Sequence, residues 1–238
     1  AVAEEVFCVH EARTIRPGLV DDFFQKSEVM QTYFCNVMAA EKQLFGDLGF
    51  MPMNVKSLCL RGGDLNFIVP NELGPALDAD LFVVFGSTYI KGWLVDFLVK
   101  RRAINIHMGL SPYYRGSSCN FWALYDRRPS YVGATIHLLS KGLDSGDMLF
   151  HCLPKDILDN PFLFTMRSVD VAHAALEERI RTGEIHQIDP VKQDRSREIR
   201  YSRNSEFDDG KAGEFLNRIA NWKTKVPDYP DLLNPWFG

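Results

Sequence analysis

No apolar run in this 238-residue chain approaches the roughly 18–20 residues that a membrane-crossing helix needs. The opening AVAEEVFCVHEAR lacks the basic-then-apolar layout of a secretory leader. Cysteine is sparse. The five residues (Cys8, Cys35, Cys59, Cys119, Cys152) are odd in number and scattered, and no pair has the close spacing of a zinc site. That usage predicts reduced core thiols in a cytoplasmic protein, with no disulfide framework and no metal. A surplus of positive charge is also missing. Lys and Arg number 27 against 31 Asp and Glu, a formal charge of −4, so neither nucleic acid nor membrane is an expected partner. There is no internal repeat and no low-complexity segment.

What is present is an ordinary globular balance, 46% hydrophobic and 24% charged, enough to bury a sizeable core. EEVFCVHEA (4–12), VKSLCL (55–60), LFVVFG (81–86), AINIH (103–107), YVGATIHLL (131–139) and DMLFHCLP (147–154) read as strands. The third is apolar throughout, as in a strand covered on both faces. Helical patterns fall between them. Arg16 to Asp47 carries a broken stripe of Phe23, Phe24, Met30, Tyr33, Phe34 and Met38. Residues 87–102 run from a loop into a helix with Trp93, Phe97 and Val99 inward, and CNFWALYD follows a capping Ser117 or Ser118. A further helix carries Met166, Val169, His173, Leu176 and Ile180 at three- and four-residue steps. Alternating strands and helices predict an α/β fold, a mostly parallel Rossmann-like twisted sheet with helices on both faces. After Pro190 the chain turns polar, then offers one short amphipathic helix in GKAGEFLNRIANW. The expected organisation is a main domain over 1–190 and a packed appendage over 191–238, its charge run a solvated face.

The chemistry-bearing residues gather in two places. Asn105 and His107 stand two apart at the end of AINIH, on one side of a strand. Ligands of open α/β sheets bind beyond such ends. GLSPYYRGSS follows, with turn residues that let backbone approach a ligand. The second place is SKGLDSGDML (140–149), with Asp144 and Asp147 among glycines. A carboxylate beside His107 would favour the imidazolium and fix the ring. An oxyanion held by His107 and the Asn105 amide, with a carboxylate moving protons, is the chemistry implied. Each piece alone also suits a local hydrogen-bonding feature or a plain turn.

Together, NIH (105–107), GLSPYYRG (109–116) and GLDSGD (142–147) resemble the catalytic domain of the 10-formyltetrahydrofolate-dependent formyltransferases, over Leu81 to Leu153. That family includes methionyl-tRNA, glycinamide ribonucleotide and sugar-nucleotide N-formyltransferases. NFWALYD and VGATIHLL are also similar, particularly to its small bacterial amine-formylating members. The resemblance implies a formyl group passed from 10-formyltetrahydrofolate to a primary amine of a small molecule, without metal, in a chain compatible with a homodimer. It implies Asn105, His107 and Asp144 as the catalytic set, Asp147 lying at the start of the next strand. It implies a folate slot at Tyr89, Ile90, Lys91 and Gly92 with Ser140, Lys141, Gly142 and Leu143, and substrate contacts at Ser111, Arg115 and Gly116. Arg115 could equally shape the loop. The alternatives are a 10-formyltetrahydrofolate hydrolase and a folate- or nucleotide-binding protein without catalysis.

Two departures from the family are visible. Its members begin with a strand and a glycine turn, whereas this chain starts at what resembles their second strand. Either the leading segment is missing from this numbering, which would leave a gap at a central strand, or EEVFCVHEA takes the first strand's place. Fewer than fifty residues follow Pro190, too few for a tRNA-binding barrel, so a tRNA acceptor is not expected. His137 reads as a core residue or a support for the site, and His151 and His173 as packing. Tyr113, Tyr114, Phe121 and Trp122 read as pocket wall. Cys119 has no paired base visible in sequence, which argues against a nucleophile.

Overall fold

The computed structural model describes residues 2–12, 26–47, 49–155, 160–219 and 228–238. Its strands are β1 (Val6–Ala12), β2 (Val55–Arg61), β3 (Val83–Phe85), β4 (Ile104–His107), β5 (Tyr114–Gly116), β6 (Ala134–Leu138), β7 (Met148–Leu153), β8 (Arg200–Ser202) and β9 (Trp236–Phe237). Its α-helices are α1 (Glu28–Phe45), the single turn α2 (Pro70–Leu73), α3 (Gly92–Lys100), α4 (Cys119–Tyr125), α5 (Pro161–Arg181) and α6 (Asp209–Ile219). The helix expected from Arg16 begins, among described residues, at Glu28; Phe23 and Phe24 lie outside them.

Local chemistry sets the helix ends. Ser27 accepts from the Met30 amide at 3.2 Å at the start of α1, and Gly46 closes it at φ 76°. Asn160 caps α5 by accepting from the Phe162 and Leu163 amides at 2.9 and 3.1 Å, with Pro161 in the first turn.

The central sheet has the order β3-β4-β6-β7-β9. β3 and β4 are parallel, as are β7 and β9, while β4–β6 and β6–β7 are antiparallel. The two short sheets, β1–β2 and β5–β8, are both parallel. Parallel pairing therefore prevails overall, with two antiparallel ladders at the heart of the central sheet. Among the described residues β1 pairs only with β2, so EEVFCVHEA does not occupy a place in the central sheet. The Glu11 carboxylate ties the small sheet to the loop after β3, accepting from the Gly63 and Thr88 amides at 2.9 and 2.7 Å.

β3 is an edge strand. Val83 and Phe85 are exposed, against the covered strand expected from its unbroken apolar run. One face of β4, β6 and β7 is apolar. Ile104, Ile106, Ala134, Ile136, Phe150 and Cys152 pack on Val171, Ala172, Ala175 and Leu176 of α5. Each such aliphatic or aromatic side chain contributes about 1.5–3 kcal/mol by leaving water. His173 projects away from this stripe into an exposed position, where its ring meets Phe85 at 4.8 Å, so it is not the packing residue its spacing suggested. On α3 the fully buried residues are Leu94, Val95 and Leu98, with Trp93, Phe97 and Val99 half-buried beside them. A second core joins Phe121 and Trp122 to Phe162 and to Phe215 of α6, so the segment beyond Pro190 shares a core with what precedes it. Of the thiols, Cys119 and Cys152 are buried but Cys35 and Cys59 are exposed, which corrects the expectation of core cysteines. Among the described residues no helix is long and apolar enough to cross a membrane.

Candidate active site

Alternation along β4 turns Ile104 and Ile106 to the apolar face and Asn105 and His107 to the other. The β4–β6 register sets Asn105 opposite His137 and His107 opposite Thr135, and Thr135 in turn faces His151 on β7. The face away from α5 is thus a polar row inside a folded protein. Each member of such a row needs a partner, because an unpaired buried polar group costs about 1–3 kcal/mol.

The partners are found. Asn105 Nδ2 donates to His137 Nε2 at 3.0 Å, and His137 Nδ1 donates to the Leu138 carbonyl at 2.8 Å. Burial and the neighbouring His107 charge push His137 down to about 4, so it is neutral at pH 7 and its Nε2 accepts. That fixes which end of the Asn105 amide faces His137. Thr135 donates to the Gly109 carbonyl and accepts from the Ser111 amide. His151 donates from Nε2 to the Ser111 carbonyl at 2.8 Å and accepts the Leu233 amide at Nδ1, and burial pushes it too down to about 4.

His107 differs from its neighbours. Its Nδ1 lies 3.4 Å from Asp144 Oδ1, with the imidazole 6% and the carboxylate 14% exposed. Its Nε2 donates to the Tyr114 carbonyl at 3.3 Å and lies 3.6 Å from Cys119 Sγ. Burial opposes charge on the ring, but Cys119 and Asp144 together outweigh it and hold His107 well above the ordinary imidazole range. Burial likewise opposes charge on Asp144, and the His107 charge and hydrogen bond hold it below the ordinary carboxylate range. The ring that the sequence did not reveal beside Cys119 is therefore His107, already protonated and so no base for a nucleophile, with the sulfur as its neighbour. Close packing here depends on glycine. A Cβ on Gly109 would lie 2.5 Å from Cys119 Cβ and 2.8 Å from His107 Nε2.

Asp147 is not the partner of His107; its carbonyl accepts the Leu138 amide. Asp144 reaches the ring from a loop in which its own backbone sits at φ 44°, the left-handed region.

The formyl transferase family model matches residues 71–159, a span holding β3, β4, β6, β7, Asn105, His107 and Asp144. That stretch is similar to formyl transferases. The methionyl-tRNA formyltransferase of Anaeromyxobacter dehalogenans is 31% identical over 167 residues, covering 68% of this chain and 50% of its own. That of Cyanothece sp. is 30% identical over 122 residues, covering 51% and 36%. The chain thus spans about a third to a half of the length of these curated relatives. Among solved structures, the formyltransferase PseJ from Anoxybacillus kamchatkensis superposes with a TM-score of 0.50 over 91% of this chain and 92% of its own. At 14% identity this likeness concerns the fold.

The two segments of the expected folate slot come together in the fold. The Tyr89 hydroxyl donates to the Lys141 carbonyl at 2.5 Å, and Lys141 Nζ lies 2.5 Å from Asp96 on α3. Lys91 Nζ stands over the Tyr89 ring, Ile90 is buried, and Gly92 opens α3 at φ 65°. Ser140 donates to the Gly142 carbonyl, and Leu143 is exposed next to Asp144.

The three expected substrate contacts also hold the fold together. Ser111 is fully buried, its backbone held by Thr135 and His151. Gly116, at φ 87°, packs so tightly against the Ser202 carbonyl that no Cβ fits. Arg115 is 5% exposed and donates to the Asp144 carbonyl at 3.4 Å, the Leu143 carbonyl at 3.3 Å and Glu198 at 2.8 Å. It shapes the loop.

Proposed function

We propose that this protein transfers a formyl group from 10-formyltetrahydrofolate to the primary amine of a small molecule. The observation that carries the reading is the buried His107–Asp144 pair beside Asn105, at the carboxyl end of β4 within the stretch similar to formyl transferases. The residues around it fit such a donor. Tyr89 and Leu143 expose apolar surface on two linked loops beside the carboxylate, walls suited to a flat heterocycle whose polar edge meets main chain.

The donor supplies an activated formyl carbon. When an amine nitrogen bonds to that carbon, negative charge develops on the formyl oxygen. The His107 imidazolium and the remaining N–H of the Asn105 amide supply the opposing charge and hydrogen bond. Neutral His137 keeps that amide turned the right way. Asp144 holds the imidazolium charged and oriented and accepts the amine proton, which passes to the folate nitrogen as its bond to carbon breaks. Tight burial of the pair keeps these groups from relaxing toward water, so their effect is not screened.

The small size of the acceptor is supported by the chain's charge, 27 basic against 31 acidic residues, which suits no polyphosphate backbone. The fold-similar PseJ structure holds UDP-4,6-dideoxy-4-formamido-L-AltNAc and tetrahydrofolate, which supports an amino sugar on a nucleotide. The test is release of tetrahydrofolate from 10-formyltetrahydrofolate, followed by absorbance, with amino-sugar nucleotides, amino acids or no acceptor. Acceptor-dependent release supports transfer. Equal release without an acceptor would make the protein a hydrolase, and donor binding without release would make it a binding protein.

A further inference from the structure

The polar run after Pro190 reads in sequence as a solvated face, yet it touches the catalytic loop. Val191 and Met148 exchange backbone hydrogen bonds, each at 2.8 Å, which seats the run against the first residue of β7. Two residues on, Gln193 Nε2 donates to the Asp144 carbonyl at 2.9 Å and to the Gly146 carbonyl at 2.8 Å. Both amide hydrogens are spent on the loop, while Gln193 Oε1 is buried without a hydrogen-bond partner among the described residues. Turning the amide over would set that oxygen against two carbonyls, so the loop dictates its orientation. Further along, the Ile199 and Arg200 amides donate to the Tyr113 carbonyl, and β8 pairs with β5. This places Glu198 on the Arg115 guanidinium, whose other donors hold the Leu143 and Asp144 carbonyls.

The Asp144 loop, with its left-handed backbone at Asp144, is thus gripped from two sides by donors that converge on one carbonyl. We propose that Gln193 and Glu198 are positioning residues that set the Asp144 carboxylate against His107, Gln193 directly and Glu198 through Arg115. This inference rests on the formyl-transfer reading of His107 and Asp144. The segment beyond Pro190 then completes the site as well as wrapping the main body.

The test compares Gln193→Glu, Gln193→Leu, Glu198→Gln and Glu198→Leu in the full chain. Gln193→Glu keeps size and shape but replaces both N–H donors with a carboxylate. Glu198→Gln keeps an oxygen that can accept from Arg115. One readout is the NMR titration of the His107 ring, which needs no turnover. The second is kcat against KM in the formyl-donor assay, and the unfolding midpoint reports on folding. Gln193→Leu should lower the titration midpoint of His107, because the carboxylate facing it is no longer held. The added charge of Gln193→Glu opposes that fall and leaves turnover as the readout common to both variants. They should lower kcat by about tenfold to a hundredfold, the cost of slightly misplacing a reacting group, with KM for the amine nearly unchanged. Glu198→Leu should act in the same direction and Glu198→Gln should restore wild-type behaviour. An unmoved His107 midpoint in folded Gln193→Leu overturns the proposal. So does a loss in both Glu198 variants alike. A wild-type protein without formyl transfer would remove the functional reading, while the His107 titration would still decide whether the clamp exists.

Discussion

The two faces of the central sheet are built from alternate residues of the same strands and do opposite work. On the α5 side, Ile104, Ile106, Ala134, Ile136 and Phe150 bury apolar surface and need no particular partner. On the other side, His107, Thr135, His137 and His151 are as deep in the protein, with Asn105 half-buried beside them, and nearly every polar atom has a specified partner. The first face lowers the energy of the fold; the second uses that rigidity to hold charge where water would disperse it. The contrast recurs inside the polar row. His137 and His151 are driven neutral by burial, His137 also by the His107 charge, whereas His107 faces Asp144 and Cys119 and is held charged.

The largest expected effect comes from breaking the charged pair. His107→Ala should lower turnover by about two to three orders of magnitude, as for loss of an oxyanion stabiliser, and Asp144→Asn comparably. Each also leaves its buried partner unpaired and should lower the unfolding midpoint, so turnover is compared per folded molecule. Near-normal turnover in either purified variant would remove these residues from the mechanism.

Acid should sharpen the difference among the histidines. His137 and His151 have folded values near 4, below the 6.5 of a free imidazole. Between those values the unfolded chain takes up protons that the folded chain refuses, so stability falls as pH drops through this window. The loss is on the order of 3 kcal/mol per histidine. His107, raised in the fold, acts in the other direction: its contribution is complete below its unfolded value and disappears as pH rises through its folded one. Urea unfolding between pH 4 and 7 measures the first effect, and an unfolding energy flat across that range would show that the two buried rings are not neutral.

A smaller effect tests how tightly the polar face is packed. Gly109→Ala places a methyl against Cys119 and His107 Nε2, and should cost about 1–3 kcal/mol as overpacking. It should also slow turnover more than its stability loss accounts for. A folded, fully active Gly109→Ala would mean that the His107 ring is free to move.

Much of this was legible in the sequence. Asn105 and His107 stand out because polar residues at alternate positions interrupt an apolar strand, and Asp144 because a carboxylate among glycines sits between two apolar runs. The exposure of β3 was not legible, since VVF reads the same at a covered position and at an edge. Nor was the direction of the β4–β6 pairing, because alternation carries no sign of strand direction. Ser111, Arg115 and Gly116 follow the motif closely enough to suggest substrate contacts, and only their packing shows that they also build the loop. Gln193 and Glu198 gave no signal at all. Their partners lie dozens of residues away, and a polar run looks alike whether it faces water or a row of carbonyls.

The most direct measurement sets neighbours on opposite faces side by side: acceptor-dependent tetrahydrofolate release and the unfolding midpoint of His107→Ala and Ile106→Ala. His107→Ala should lose turnover per folded molecule by far more than any fall in its midpoint accounts for. Ile106→Ala should lose about 2–5 kcal/mol of stability and keep turnover per folded molecule. An Ile106→Ala protein that folds normally but is inactive, beside an active His107→Ala, would contradict the assignment of chemistry to one face and stability to the other.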